Sequence, residues 1–259
     1  MIKPRTFLVG YTSADEVGLR NYLNATGNEA FWEEYCQAKE EGLSTGECLC
    51  SFYAKLCYKS LSEGKNANIT RTRPIADNLE AVFKSGHGSV FEHCWLNFVT
   101  TDCSRVFTHE LVRHRVGTAF SQTSGRYCAI DQIDIVIPPE LEEARGIVES
   151  FAKVAAFTCK ELRDTLIPED ADFATKKRIT SAIRRLAPNG QTNEIGWSCN
   201  IRSLRHMIEL RTSRHAEWEI RVVFNDVADI VLERFPLMLC GHERTDTGDG
   251  LFEYTKLKV

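Results

Sequence analysis

The chemistry of this chain is densest in Arg113-His114-Arg115-Val116-Gly117-Thr118-Ala119-Phe120-Ser121-Gln122-Thr123-Ser124-Gly125-Arg126-Tyr127, where three arginines, one histidine and five hydroxyl-bearing side chains surround two glycines. That is a composition for holding phosphates. Guanidinium groups match phosphate oxygens two at a time, while hydroxyls and the unhindered amides near glycine add short donors. Each charge-assisted bond contributes roughly 1.5–3 kcal/mol. A plainer reading covers part of the run: Ser104 to Val112 reads as a helix capped by Ser104, with Phe107 and Leu111 one turn apart. Arg113, His114 and Arg115 would then simply favour the dipole at its end. That reading leaves Ser124-Gly125-Arg126-Tyr127 unexplained.

Three further clusters carry chemistry. Gly86-His87-Gly88-Ser89-Val90-Phe91-Glu92-His93 offers two histidines and a glutamate on a Gly-rich turn before an alternating run, Trp95, Asn97, Val99. A metal site, a structural turn and the wall of a cofactor site all fit it. Arg184-Arg185-Leu186-Ala187-Pro188 is either a solvated basic helix end or a ligand group. In Asn200 to Arg211 the residues Leu204, Met207 and Ile208 form an apolar stripe whose next position is Arg211. An arginine aimed at a core needs an anion, because leaving it unpaired costs several kcal/mol on the order of magnitude of buried charges. A buried carboxylate and a bound ligand both answer that need.

These residues carry a resemblance. Arg113-His114-Arg115, a spacer and Ser124-Gly125-Arg126-Tyr127 are similar to the signature of the flavin-dependent thymidylate synthases, which methylate deoxyuridine monophosphate (dUMP) using FAD, NADPH and 5,10-methylenetetrahydrofolate. The spacer, Val116 to Thr123, is one residue longer than in most members, and with Ser121 to Arg126 kept in register the addition falls between Val116 and Phe120. Gly86 to His93 resembles the family's Gly-His-x-Ser/Thr-x-x-Glu-His segment. Asn200, Arg202, Arg211 and His215-Ala216-Glu217-Trp218-Glu219-Ile220 match a third segment, in which His206 replaces an asparagine. Glu110 stands where a glutamine is usual, and a carboxylate only accepts where an amide also donates. It either bears on the substrate or pairs silently with Arg113 or Arg115. Ala54-Lys55-Leu56-Cys57 occupies the place of another flavin contact, with Cys57 where serine is common.

The resemblance implies a substrate group of Glu110, Arg113, Gln122, Thr123, Ser124, Gly125, Arg126, Arg184 and Arg211. It implies a cofactor group of His87, Ser89, Glu92, Arg113, His114, Arg115, Gln122, Asn200, Arg202 and His206. Arg211 would be the catalytic residue, favouring the N3-ionised pyrimidine, with no cysteine needed to attack C6 and no metal. The implied fold is α+β, helices on a central, mostly antiparallel sheet, assembled as a homotetramer with FAD between subunits. Two alternatives stay open: a related flavin enzyme making a 5-hydroxymethyl product or using another pyrimidine nucleotide, and a nucleotide-binding protein without catalysis.

The elements that must position these residues follow from pattern. Residues 1–259 read as one domain, with a helical N-terminal extension over about 1–47: segments start at Ser13-Ala14-Asp15-Glu16, Asn28-Glu29-Ala30 and Thr45-Gly46-Glu47. The third carries Leu49, Phe52, Tyr53 and Leu56 as a core stripe. Pro74 opens a helix through Ile75, Leu79, Val82 and Phe83 to Gly86. Ile130 to Ile137 alternates in part like a strand ended by Pro138-Pro139; Glu140 to Leu166, Asp170 or Asp172 to Ile183, and Trp218 to Phe235 read as helices. With 43% hydrophobic and 26% charged residues the chain can bury a core, and a net charge of −4 opposes a polynucleotide surface. Ten cysteines without a CxxC pair, and no long apolar core at the N-terminus, point to a reducing cytoplasm. No apolar run approaches the ~20 residues needed to span a bilayer. No strand-linked GxGxxG is present, so a dinucleotide would not be held in the Rossmann manner.

Overall fold

Helix starts follow from cap chemistry. The computed structural model describes residues 2–69, 71–128 and 133–257. After strand β1 (Arg5–Tyr11) come helices α1 (Glu16–Thr26), α2 (Ala30–Glu40), α3 (Thr45–Cys57) and α4 (Ile75–Lys84). Asp15 accepts from the Gly18 amide, and Ser44 and Glu47 form a reciprocal capping box at α3. Strand β2 (Trp95–Ser104), helix α5 (Arg105–Leu111) and strand β3 (Thr118–Gln122) follow. Then come α6 (Arg145–Leu166), α7 (Phe173–Ile183), β4 (Thr192–Asn200), α8 (Ile201–Arg211), α9 (Trp218–Arg234) and a hairpin of β5 (His242–Asp246) and β6 (Phe252–Lys256). Asp172 caps α7 through the Thr175 amide, and Asn200 caps α8 through the Ser203 amide.

The sheet runs β1-β2-β4-β3 with every neighbouring pair antiparallel, so the α+β architecture on a central antiparallel sheet holds. Its register sets Trp95 opposite Asn200, and Phe98 and Phe120 opposite Trp197. Leu96, Phe98 and Thr100 point into the core, leaving Trp95, Asn97 and Val99 on the other face. Ile220, Val223, Phe224, Val227 and Val231 of α9, each 0% exposed, complete that core, with the Trp197 and Phe224 rings 5.9 Å apart. Each such side chain contributes about 1.5–3 kcal/mol of burial. Ile133, Ala152, Ala155, Ala156, Cys159 and Ile183 form a second, smaller core under α6 and α7.

Several sequence expectations need correction. The α3 stripe is shifted: Phe52 is buried, but Leu56 is 38% exposed, and Glu47 and Lys55 are 0% and 1% exposed in the same helix. Those charges lie inside because each has a partner, the Leu237 amide for Glu47 and the Glu34 carboxylate for Lys55. Of the strand expected at Ile130 to Ile137, residues 130–132 lie outside the described residues, and the remainder makes only a single bridge, Ile135 to Gln191. The segment from Glu140 is a 3-10 turn through Ala144 before α6 begins. Strand β1 was not foreseen, because both its faces carry apolar side chains; Phe7, Val9 and Tyr11 point outward at 47%, 62% and 43% exposure.

Candidate functional site

Arg211 closes α8, and the stripe of Leu204, Met207 and Ile208 that leads to it is buried. Its anion is Glu110: Arg211 Nη1 donates to Glu110 Oε2 at 2.7 Å, and Nη2 donates to the Glu110 carbonyl at 3.3 Å. The pairing of Glu110 with Arg113 or Arg115 is thereby corrected. Helix α5 ends at Leu111, so those two arginines lie beyond it and are exposed, while Glu110 faces α8. Arg211 Nε donates to His114 Nε2 at 2.8 Å. Burial first, and the Arg211 charge second, push the His114 pKa down to about 4, so the ring is neutral and accepts at Nε2. One guanidinium fork thus ties the end of α8 to the end of α5.

The lengthened spacer lies on the N-terminus of α8. Ser203 Oγ donates to the Val116 carbonyl at 2.7 Å, the Asn200 amide donates to the Gly117 carbonyl at 3.0 Å, and Thr118 Oγ1 donates to the His114 carbonyl at 2.5 Å. Gly117 has φ +64°, and a Cβ there would stand 2.3 Å from Asn200 Nδ2. Only glycine fits such a turn at such a distance.

Strand β3 then carries Gln122, whose Nε2 donates to Thr108 Oγ1 at 3.0 Å, and the Thr123 amide donates to the Glu194 carbonyl at 2.9 Å. In the turn that follows, the Arg126 amide donates to Ser124 Oγ at 3.3 Å. Gly125 is buried between two arginines: its missing Cβ would lie 3.5 Å from Arg105 Nη2 and 3.8 Å from Arg184 Cβ and Cδ. Arg126 and Tyr127 are exposed, with the Tyr127 ring stacked on Phe173 and the Lys177 ammonium 4.8 Å above it.

A third group surrounds the 3-10 turn Gly88–His93. Arg202 Nη1 donates to Glu92 Oε1 at 2.5 Å, and a Cβ on Gly88 would sit 3.1 Å from Arg202 Nε. Gly88, Arg202 and His206 share the wall of a cavity of about 310 Å³. His87 is exposed and lies 3.3 Å from the Tyr58 hydroxyl; Ser89 is exposed as well. Within one chain the sequence candidates therefore fall into three groups. These are Glu110, His114 and Arg211; Thr123, Ser124, Gly125 and Arg184; and Gly88, Glu92, Arg202 and His206. Arg113 and Arg115 stand exposed, without an ionic partner among the described residues.

Sequence reasoning missed two positioning features. Arg105, read only as the start of a helix, joins Arg184 at Gly125; its place directly after the Ser104 cap was the available signal. Glu219 was noted only within a resembling segment. It is 3% exposed, accepts from the Ser104 amide at 2.6 Å and from Ser104 Oγ, and so anchors the first turn of α5 to α9. Burial pushes its pKa up to about 7. Among the described residues no group of three or more His, Cys, Asp or Glu side chains is arranged to hold a metal ion, and no helix is long and apolar enough to cross a membrane.

The sequence matches the family described as "Thymidylate synthase complementing protein" (Thy1) over residues 42–237. It is similar to the flavin-dependent thymidylate synthase of Mycobacterium marinum, 33% identical over 212 residues, covering 79% of this chain and 83% of that protein. The protein of the same name from Mycobacterium tuberculosis is 32% identical over the same shares, and that from Mycolicibacterium gilvum is 33% identical over 214 residues. The signature turn, the Gly88–His93 turn and the arginine-bearing helix α8 all lie inside the matched span. The chain belongs to the Thy1 family.

Proposed function

We propose that this protein is a flavin-dependent thymidylate synthase: it transfers a one-carbon unit from 5,10-methylenetetrahydrofolate to C5 of dUMP, giving dTMP, with FAD as cofactor and NADPH as reductant. The observation that carries the reading is the meeting of the signature turn with Arg184 at Gly125, far apart in sequence and together in the fold. Two guanidinium groups beside a bare glycine suit a phosphate.

The donor set fits a flavin dinucleotide as well. Arg113 and Arg115 have no ionic partner among the described residues and suit a pyrophosphate. The side chain missing at Gly88 leaves open the surface beside Arg202, Glu92 and His206. His87, Ser89, Glu92, Arg113, His114, Arg115, Gln122, Asn200, Arg202 and His206 would hold it; bound flavin supplies hydride transfer. The residues of this chain bind and orient. Arg113, Ser124, Gly125, Arg126 and Arg184 hold the nucleotide, with Gln122 and Thr123 between the two groups. Arg211 presents positive charge where the pyrimidine ring becomes anionic, which raises the nucleophilicity of C5. Neutral His114 accepts from Arg211 and so orients that charge without adding a second one beside it.

Glu110 favours a second reading. Its carboxylate sits on Arg211 and can only accept, so it suits a ring edge that donates, such as the exocyclic amine of a cytosine nucleotide. The deciding experiment is a mass spectrum of the nucleotide product after anaerobic incubation with FAD, NADPH, methylenetetrahydrofolate and dUMP, with the cytidine nucleotide in parallel. A product of dTMP mass supports the first reading. A hydroxymethylated or cytidine-derived product supports the second, and no product from either leaves a binding protein.

A further inference from the structure

A cavity of about 410 Å³ adjoins the one that Gly88, Arg202 and His206 share. The two meet at one turn: Gly86 and Gly88 line the first, His87 lines the larger, and Val82 of α4 lines both. Its size falls within the ~300–1,000 Å³ range of small-molecule sites. One face of α4 forms its floor, since Asn78, Ala81, Val82 and Ser85 recur at helical spacing. The charge around it is one-sided. No carboxylate lines this cavity, whereas Lys55, Arg71 and Arg73 do. Lys55 is 1% exposed and neutralised by Glu34 at 2.6 Å, so the surplus charge belongs to the two arginines. Arg71 and Arg73 are exposed and have neither an ionic partner nor a hydrogen bond among the described residues. Asp77, in the first turn of α4, does not line the cavity and pairs with neither. Asn78 Oδ1 accepts from Ser51 Oγ at 2.9 Å, which leaves the N–H donors of that amide unused.

Cations without anions at one end, an apolar stretch of Ala81 and Val82, and His87 at the junction with the neighbouring cavity describe an elongated ligand. Its middle is apolar and its far end carries more than one carboxylate, the group a guanidinium fork matches. We infer that this cavity takes the aminobenzoyl-glutamate tail of the folate co-substrate, with Arg71 and Arg73 binding the glutamate carboxylates directly. The inference rests on the one-carbon reading above and deepens it. The pterin that carries the carbon lies with the flavin, and the tail leaves across the turn at His87. Each further glutamate adds a carboxylate on the side of the two arginines, so affinity rises with the length of the tail. The phosphates of the reductant are the rival anion, and they leave the apolar floor unused.

The test is isothermal titration of the protein with FAD added, using tetrahydrofolate, its triglutamate, and tetrahydropteroate, which lacks the glutamate. The isolated fragment p-aminobenzoyl-triglutamate, NADPH and dUMP are titrated in parallel. The proteins are the wild type, the double variant Arg71→Gln with Arg73→Gln, and the double variant Arg71→Lys with Arg73→Lys. Loss of one charge-assisted bond raises Kd by about tenfold or more. The wild type is expected to bind the triglutamate more tightly than tetrahydrofolate, and tetrahydropteroate least. The glutamine pair should weaken the triglutamate and the fragment by that factor, leaving tetrahydropteroate, dUMP and the flavin spectrum unchanged, and the lysine pair should recover part of the loss. Equal affinity of the wild type and the glutamine pair for triglutamate and fragment overturns the tail site while the one-carbon reading stands. A loss confined to NADPH assigns the arginines to the reductant and overturns it too. If the wild type binds neither tetrahydrofolate nor dUMP, the one-carbon reading falls, and the fragment still decides: no binding, or binding that the glutamine pair does not weaken, overturns the site. Should the glutamine pair melt early, Arg71→Gln and Arg73→Gln singly take its place, and unchanged fragment affinity in both overturns the site.

Discussion

At the scale of single residues, Arg211 serves two masters: it is the group proposed to meet the pyrimidine, and it already holds Glu110 and His114. Lysine keeps the charge but has no fork, so it cannot donate to both at once. Arg211→Lys is expected to lower kcat by at least tenfold while flavin stays bound, read from steady-state turnover and the flavin absorbance; wild-type turnover would remove Arg211 from the chemistry. The titrations of two buried groups run in opposite senses. His114 has a folded pKa near 4 against an ordinary 6.5, so the unfolded chain binds more protons between those values, and stability is lost as pH falls through that window. Glu219 has a folded pKa near 7 against 4.5, so the folded chain binds the extra proton, and its contribution is lost as pH rises from 4.5 to 7. Glu219→Gln, which cannot ionise, should therefore gain Tm relative to wild type between pH 5 and pH 8. Thermal melts at the two pH values check this, and a constant difference would mean that Glu219 does not titrate on unfolding. Much at this scale was legible: a core-facing arginine demanded an anion, and the demand was met. Which carboxylate met it was not, because a helix-end residue such as Glu110 shows its direction only once α5 and α8 are packed.

Among the elements, the lengthened spacer is the most exacting. Gly117→Ala forces a left-handed φ on a residue with a side chain and drives its Cβ into Asn200. Strain at such a position costs roughly 1–3 kcal/mol. The expected outcome is a Tm lower by several degrees and weaker FAD retention, because the displaced group is the α8 cap; a normal melt with full flavin content would show that the turn tolerates the change. Helices were read well from sequence, since caps and 3.6-residue stripes are local: Ser104, Asp172 and Pro74 start helices where they stand. Strands were read poorly. In β4 the alternation of Ile195, Trp197 and Cys199 was present and overlooked, while β3 was hidden inside a motif whose residues drew attention for their chemistry. The meeting at Gly125 needs the start of α5, the signature turn and Arg184 together, so no single stretch announces it.

For the whole molecule, helix α6 presents Ile147, Phe151, Val154 and Phe157 outward at 75%, 56%, 63% and 64% exposure. Such an apolar stripe on a 22-residue helix is the surface an oligomer buries. The homotetramer that the resemblance implies would bury this face between subunits. Light scattering should give the mass of four chains for the wild type and a smaller assembly for Phe151→Asp; an unchanged mass would move the interface elsewhere.

The C-terminal hairpin gives the molecule a direction in time. The Tyr254 amide in β6 donates to Thr212 Oγ1 at 3.0 Å, the residue next to Arg211, and Arg214 reaches Glu253 on the same strand. Synthesis runs from the N-terminus, so the sheet, α8 and α9 are all made before the residues that fasten the end of α8. A nascent chain therefore has its arginine, and the Glu110 and His114 that hold it, before it has the clasp beside it.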